Sequence, residues 1–165
     1  MSEPTEPNRV PSIPSALLVA ASQDRFGEQR NQGSISFAFK VTTPNPSDVF
    51  IVENTLLAKG GPARHLHYEQ EEWFYILEGE FRFEVGAERF LLHPGDSLLI
   101  PRQVPHAWAF VGEGRGRSLM TFLPAGKIEA FFREVTKPNW QVSIQDPALW
   151  RAHDLELLGP PLPVE

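Results

Sequence analysis

The chain has 165 residues, of which 41% are hydrophobic, and a formal net charge of −6. This size and apolar content are typical of one globular domain with a single core. Acidic residues are in excess and no basic stripe is present, so we expect no nucleic-acid partner, because basic side chains supply most of that affinity. The chain has no cysteine, which excludes disulfides and thiolate ligands and leaves His, Asp and Glu to bind a metal.

Residues 1–14 hold four prolines among polar residues, a composition that predicts a flexible N-terminal tail. The apolar run at residues 16–21 is too short to span a bilayer, and the segment before it is acidic instead of basic. We therefore expect no signal peptide, no membrane partner and a cytoplasmic location.

Short runs of alternating apolar and polar residues follow. The first covers residues 34–41, where Ile35, Phe37, Phe39 and Val41 fall on every second position, as in a half-buried strand. Further strands are expected at residues 49–58, 73–77, 81–85, 89–92, 97–100, 106–111 and 117–123. Gly, Pro and Asp turns separate these runs, which favours an antiparallel sandwich or barrel over a βαβ sheet. We predict an all-β barrel, at residues 15–124.

Beyond residue 124 the period of the pattern changes. Apolar residues recur at three- and four-residue spacing, as in an amphipathic helix, at Ile128, Phe131, Phe132 and Val135. This spacing predicts a helix over residues 127–136 that packs against the barrel. A second short helix is expected at residues 147–153, and residues 159–163 resemble a polyproline-like tail. Residues 125–165 are therefore predicted to form a C-terminal helical extension with a Pro-rich end.

The centre of the chain carries candidate metal ligands. Residues two apart in a strand share a face, so His65 and His67 can present two imidazoles to one point. Residues 68–71 are polar enough to turn, which would let Glu72 face inward from the next strand. A His-x-His pair taken alone is more often a surface pair. His106, however, lies in an apolar setting where an unpaired imidazole is costly, and together the four residues favour a divalent-metal site.

The spacing of these residues resembles the two motifs of the cupin superfamily. The first motif is matched by His65, His67, Glu72 and Gly79, and the second by Gly95, Pro101 and His106. The resemblance implies a double-stranded β-helix, the cupin jelly roll, with one or two short C-terminal helices. It also implies that His65, His67, Glu72 and His106 hold one divalent ion. In the family that ion is iron, manganese, nickel, copper, cobalt or zinc, and ligand type alone does not choose among them.

Two residues depart from the family pattern. Gln103 stands where glycine is common, and Phe110 stands where asparagine is common. Neither position is a ligand in the family, so the implied metal site is unaffected. The departures indicate a pocket more apolar than that of an average cupin.

Strand alternation predicts the walls of the substrate pocket. Phe74 and Ile76 share a face with the carboxylate ligand, and Trp108 and Phe110 share one with the last histidine. These four side chains predict an aromatic-lined cavity. The alternative is that they fill the interior, as side chains do in small barrels.

Other polar residues near the ligands are weaker candidates. Arg64 and Arg102 flank the motifs and could pair with an anionic substrate oxygen, although an exposed position is the more frequent outcome for each. Tyr68 could close the pocket mouth on the same argument. His93 precedes a turn and His153 lies near the end of the chain, so neither is expected to be a ligand.

The reaction is left open, because cupin barrels host dioxygenases, isomerases, lyases, decarboxylases, storage proteins and sensory domains. We expect a metal-dependent dioxygenase, similar to quercetin 2,3-dioxygenase-like single-domain cupins, acting on an aromatic or enol-type substrate. Glu72 would serve as general base as well as ligand. One alternative is a non-redox isomerase or lyase for a small polar metabolite, which predicts a polar pocket. Another is a non-catalytic metal-binding or sensory cupin. Since cupins often dimerise through their outer strands, we also expect a homodimer.

Overall fold

The fold of residues 15–165 is described by a computed structural model, and the predicted N-terminal tail at residues 1–14 lies outside this range. The strands are β1 Arg30–Gln32, β2 Ile35–Val41, β3 Phe50–Leu56, β4 Ala63–His67, β5 Glu71–Glu78, β6 Phe81–Val85, β7 Glu88–Leu92, β8 Ser97–Ile100, β9 His106–Phe110, β10 Gly116–Leu123 and β11 Leu155–Pro161. The helices are α1 Ile128–Val135 and α2 Pro147–Arg151.

The strands form two antiparallel sheets. One has six strands in the order β1-β2-β3-β10-β5-β8, and the other has five in the order β11-β4-β9-β6-β7. Strands that are distant in sequence are neighbours in both sheets, which is the connectivity of a jelly roll. The predicted all-β barrel with short C-terminal helices is confirmed.

Aromatic side chains fill the space between the sheets. On β6, Phe81 and Phe83 are fully buried while the residue between them is exposed, as strand alternation requires. Phe74 on β5 meets the ring of Phe83 at a centroid distance of 4.8 Å, in an edge-to-face arrangement. Such pairs add about 0.5–1.5 kcal/mol to the stabilisation that burial alone gives.

The eight predicted strands are all present, and their ends shift by at most two residues. Three further strands had no predicted bounds: β1, β4 and β11. β1 is short, and the charge of its buried Arg30 is paired with the carboxylate of Asp24, which lies 3.1 Å from Arg30 Nε. The predicted strand character of the His-x-His segment is confirmed by β4.

The polyproline-like tail predicted at residues 159–163 is wrong for residues 159–161. They belong to β11, which pairs with β4 in the five-stranded sheet. Because β11 is an edge strand, one side of its backbone has no strand partner among residues 15–165, and proline is tolerated in such strands although it lacks an N–H.

Helix α1 packs on the barrel with the predicted stripe inward. Phe131 and Phe132 are buried, and Phe132 lies 5.0 Å from the ring of Phe37 on β2. A polar contact also fixes the helix, since the carboxylate of Glu129 accepts hydrogen bonds from the backbone N–H and the hydroxyl of Thr43, both at 2.7 Å. Within residues 15–165, no helix is long and apolar enough to cross a membrane.

Candidate metal centre and cavity

Three strands bring the four predicted ligands together. His65 and His67 point inward from β4, and His106, the first residue of β9, is paired with His65 across the sheet. Glu72 is the second residue of β5 in the opposite sheet. The loop between β4 and β5 resets the alternation, as predicted, so the carboxylate faces the three imidazoles.

The donor atoms of these residues converge on one point. Their ligand atoms all lie within 4.8 Å of one another, and all four residues are buried. Glu72 Oε2 is 3.1 Å from His106 Nε2 and 3.3 Å from His67 Nε2. Three imidazole nitrogens and one carboxylate oxygen suit the divalent transition metals.

Backbone carbonyls orient two of the imidazoles. His65 Nδ1 lies 2.7 Å from the carbonyl oxygen of Ala63, and His106 Nδ1 lies 2.9 Å from that of Val104. A carbonyl oxygen only accepts, so each Nδ1 carries the proton and each Nε2 turns its lone pair to the centre. Hydrogen bonds of this kind orient histidine ligands in metal sites.

The centre needs a positive charge. Because the proton of His106 is on Nδ1, its Nε2 is an acceptor, and it faces a second acceptor, Glu72 Oε2, at 3.1 Å. Two acceptors at this distance require a cation or an extra proton between them. In addition, neither ring nitrogen of His67 has a hydrogen-bond partner among residues 15–165, although both are buried. Unpartnered polar atoms of this kind are rare and costly. The four residues therefore fit a bound divalent ion.

The electrostatics of the centre agree with that fit. Burial, together with the neighbouring His106 and His67, holds the pKa of His65 well below its ordinary value, so this imidazole is neutral and able to ligate. Burial tends to raise the pKa of Glu72, but the adjacent His106 and His67 imidazoles outweigh it and lower that pKa. Glu72 is therefore an ionised carboxylate at neutral pH.

A cavity of about 150 Å³ opens on three of these ligands, His65, His67 and Glu72. The barrel wall next to them is apolar and comes from Trp108 on β9 together with Met120 and Phe122 on β10. Strand alternation along β10 is the sequence signal that would have found the last two.

The other side of the cavity is built by segments that flank the central strands. Helix α1 contributes its whole apolar stripe, β1 and β2 contribute Gln32, Ile35 and Phe37, and α2 contributes Trp150. The stripe on α1 was predicted, but not that it faces the cavity. No local pattern in the sequence marks Trp150 as part of a site.

The prediction that Phe74, Ile76 and Phe110 line the cavity is wrong, and the alternative of barrel filling is correct for them. All three are buried in the core, and none lies in the cavity wall. Phe110 packs against the chain at Gly79, where an added Cβ would lie 2.7 Å from its ring. Trp108 stands between this core and the cavity, since its ring is 5.6 Å from that of Phe74.

The two arginines also lie outside the cavity wall. Arg64 pairs with the carboxylate of Glu84, and Arg102 lies 3.6 Å from that of Glu71. Strand alternation turns Arg64 away from its histidine neighbours, and Arg102 is exposed in the loop before β9. A contact of either arginine with substrate stays a prediction.

The remaining candidates are exposed or lie apart from the ligands. Tyr68 is 41% exposed and its hydroxyl donates to Glu156 at 3.1 Å. His93 lies 3.1 Å from the carboxylate of Glu80 in an exposed pair. The Nδ1 of His153 donates to the carbonyl of Leu149 at 2.9 Å. Neither of these histidines belongs to the candidate metal centre.

One further side chain was missed. Gln70, in the loop between the ligands His67 and Glu72, is 1% exposed, and its Nε2 donates to the carbonyl of Ala125 at 3.3 Å. The neighbouring Gly126 has a φ of +50°, and a Cβ there would overlap Gln70 Nε2. The loop that carries the ligands is thus attached to the segment that begins α1.

The fold and the site together define a class of protein. It is a jelly-roll β-barrel whose candidate divalent-metal centre, three imidazoles and one carboxylate, lies at the end of an apolar cavity. Residues 54–122 match the family described as the cupin domain. The segment that carries the four donors therefore matches the cupin domain.

Individual relatives are distant. An uncharacterized protein of Methanocaldococcus jannaschii is 40% identical over 48 residues, and the match spans 29% of this chain and 38% of that protein's length. The structure of KdgF from Halomonas sp. has 20% identity and a TM-score of 0.52, over 62% of this chain and 93% of that chain. An RmlC-like cupin from Shewanella frigidimarina has 23% identity and a TM-score of 0.52, over 66% and 90%. At these identities the solved structures support the fold alone.

Proposed function

We propose that this cupin is a metal-dependent dioxygenase for a small aromatic or enol-type substrate. The observation that carries the proposal is a cavity with one polar end, at His65, His67 and Glu72, and walls that are otherwise mainly aliphatic and aromatic. A flat, apolar molecule with one hydroxyl or enol group matches that distribution. Its ring would lie against the wall and its oxygen would reach the ligands.

The four ligands set the chemistry available at the polar end. A divalent ion held by His65, His67, Glu72 and His106 would supply Lewis acidity and, if it is iron, manganese, nickel or copper, one-electron redox chemistry. A dioxygenase places both atoms of dioxygen in its product, so the reaction needs no separate reductant.

In the proposed reaction, Glu72 is the side chain that accepts the proton of the substrate hydroxyl. Its lowered pKa keeps the carboxylate ionised, and the residue lines the polar end of the cavity. In this proposal Glu72 is a ligand that also accepts the hydroxyl proton of an enol or phenol. The imidazoles, whose Nδ1 atoms are tied to backbone carbonyls, hold their orientation while that proton moves.

The volume of the cavity limits the size of the substrate. Apolar cavities of about 150 Å³ hold one benzene ring. We therefore favour a single-ring catechol-like compound or a small diketone over a flavonol, which has three rings.

The non-redox alternative is less well supported. A polar metabolite carries several polar groups, and an isomerase or lyase that acts on it needs matching polar side chains in its pocket. Apart from the ligands, the polar side chains that line the described cavity are Gln32 and Gln145. A non-catalytic binding cupin remains a distinct outcome of the test below.

The test is oxygen uptake by the full chain loaded in turn with Fe²⁺, Mn²⁺, Ni²⁺ or Cu²⁺, offered catechol, acetylacetone and a flavonol. We expect uptake with one of the two smaller compounds and none with the flavonol. His106→Ala should abolish the uptake, and the matched exposed variant His93→Ala should keep it. Binding without oxygen uptake under every metal would contradict the dioxygenase and favour a binding cupin. Conversion of a substrate without oxygen would favour the isomerase or lyase.

A further inference from the structure

Trp150, on α2, contacts a metal ligand from outside the segment that matches the cupin domain. Its ring centroid lies 5.1 Å from that of His65, with an angle of 49° between the planes. The side chain is 3% exposed and lines the cavity. Aromatic rings at this separation are in attractive contact.

The indole of Trp150 is held in place by contacts with residues of the C-terminal extension, and not only by its contact with His65. Its Nε1 donates a hydrogen bond of 2.7 Å to the carbonyl of Ile144, and Phe131 on α1 packs against it at 5.1 Å. Asp146 begins α2 by accepting a hydrogen bond from the N–H of Ala148 at 2.9 Å. Trp150 is therefore a fixed surface against which another ring can rest.

His65 needs such a surface. Its hydrogen bond to the Ala63 carbonyl fixes the position of Nδ1, but one hydrogen bond leaves the ring free to tilt about that contact. The other rings near it are His106 at 4.5 Å and His67 at 5.2 Å, both candidate ligands themselves. Among its aromatic neighbours in the described chain, Trp150 is the one that is not a ligand.

We propose that Trp150 is a positioning residue that holds the His65 imidazole in its ligating orientation. This inference rests on the metal centre of the proposed function but not on the reaction. It means that the C-terminal segment helps to bind the metal, although the four donors all lie between residues 65 and 106. Loss of a residue that orients a ligand typically weakens metal binding about 10–100-fold.

The test compares Co²⁺ affinity among full-length variants, by competition with a coloured chelator. Trp150→Leu keeps an apolar side chain but removes the ring, and we expect it to bind Co²⁺ about tenfold more weakly than the unaltered chain. Trp150→Phe restores a ring and should return the affinity to within about threefold. The visible spectrum of bound Co²⁺ should change in Trp150→Leu, because one imidazole changes its angle to the ion.

Trp140→Leu is the matched control, since Trp140 belongs to the same segment but is absent from the cavity wall. Its affinity and spectrum should equal those of the unaltered chain, and circular dichroism should show each variant folded. The inference is overturned if Trp150→Leu keeps its affinity and spectrum, if Trp150→Phe is no better than Trp150→Leu, or if Trp140→Leu loses as much. An unaltered chain that binds no Co²⁺ would overturn the metal centre itself.

Discussion

The two sides of the cavity come from different parts of the chain. The ligands and the adjoining wall at Trp108, Met120 and Phe122 lie within residues 54–122, which match the cupin domain. The facing wall comes from β1, β2, α1 and α2, outside that segment. The central strands thus carry the candidate metal ligands, while the flanking segments form the cavity wall that faces them.

The two sides are also held by different forces. Strand alternation and hydrogen bonds to backbone carbonyls place the imidazoles, so a small displacement removes a donor from the centre. The facing wall is a set of packed aromatic rings, such as Phe37 against Phe132 at 5.0 Å. Packing tolerates changes that conserve volume, so the wall can vary without loss of the metal centre, except at Trp150, which contacts His65. The changes below test this separation.

His67→Leu should have the largest effect on the metal side. Removal of a ligand should weaken metal binding by more than the ~10–100-fold expected for residues that only orient ligands. In metal-free protein the same change removes two buried nitrogens without partners, and we expect stability to rise by about 1–3 kcal/mol. Metal analysis and urea unfolding with a chelator measure the two effects. The exposed change His93→Leu should leave metal binding unaltered, and a destabilised metal-free His67→Leu protein would contradict the account of His67.

Phe132→Ala should have the largest effect on the facing wall. The ring is 8% exposed and contacts Phe37, Phe50 and Phe122, so its removal should cost about 3–5 kcal/mol. Under conditions where the variant is folded, metal affinity should change less than about twofold, since none of these contacts is a ligand. Denaturant unfolding and metal titration provide the measurements. Val142→Ala, at an exposed position, should cost less than about 0.5 kcal/mol. A large loss of metal affinity in Phe132→Ala would break the separation of the two sides.

Glu129→Gln tests the polar anchor of α1 and its pH dependence. Burial tends to raise the pKa of Glu129, but hydrogen bonds from Thr43 and the Arg133 guanidinium outweigh it, so the pKa lies below its ordinary value of 4.5. A lowered folded-state pKa adds stability above the ordinary value, and that stability is lost as the pH falls from there towards the folded-state pKa. We expect Glu129→Gln to cost about 1.5–3 kcal/mol at pH 7.

The difference between Glu129→Gln and the unaltered chain should shrink as the pH is lowered below 4.5. Urea unfolding at a series of pH values measures it. A difference that stays constant down to pH 3 would show that the carboxylate charge is not what stabilises α1.

Gly126→Ala should give the smallest effect and tests the attachment of α1 to the ligand loop. Both Gly126 and Gly33 have positive φ values, +50° and +60°, but a Cβ at Gly126 would overlap Gln70 and one at Gly33 would meet nothing within 4 Å. The strain of the backbone is similar in the two variants, so overlap should make Gly126→Ala about 1–2 kcal/mol less stable than Gly33→Ala. Thermal unfolding measures the difference, and equal losses in the two variants would contradict the attachment.

Sequence reasoning found the metal side because its signals are local. His65 and His67 are two residues apart, and a short polar turn is enough to bring Glu72 to face them. Gln103 stands where the family commonly has glycine, and its φ of +65° is a left-handed conformation that favours glycine. Its N–H donates to the His67 carbonyl at 2.7 Å. The position thus supports the strand end that carries a ligand.

The facing wall was missed because its information is spread along the chain. The stripe on α1 predicts a buried face but not what that face covers. Alternation gave Phe74 and Phe110 the correct inward direction, yet it holds no information on where along the barrel packing stops and a cavity begins. β11 was missed because Gly159 and Pro160 resemble a coil, and only its place at a sheet edge makes them acceptable in a strand.

The pairing of β11 with β4 bears on how the cavity is assembled during folding. His65 pairs with His106 in β9 on one side and with Leu157 in β11 on the other, so the second contact closes a loop roughly twice as long as the first. Each doubling of loop length costs only about 0.6 kcal/mol, but contacts between distant residues slow folding. The four donors can therefore meet before β11 and Trp150 complete their surroundings. A metal ion present at that stage would favour the native arrangement of the central strands while the cavity is still open on one side.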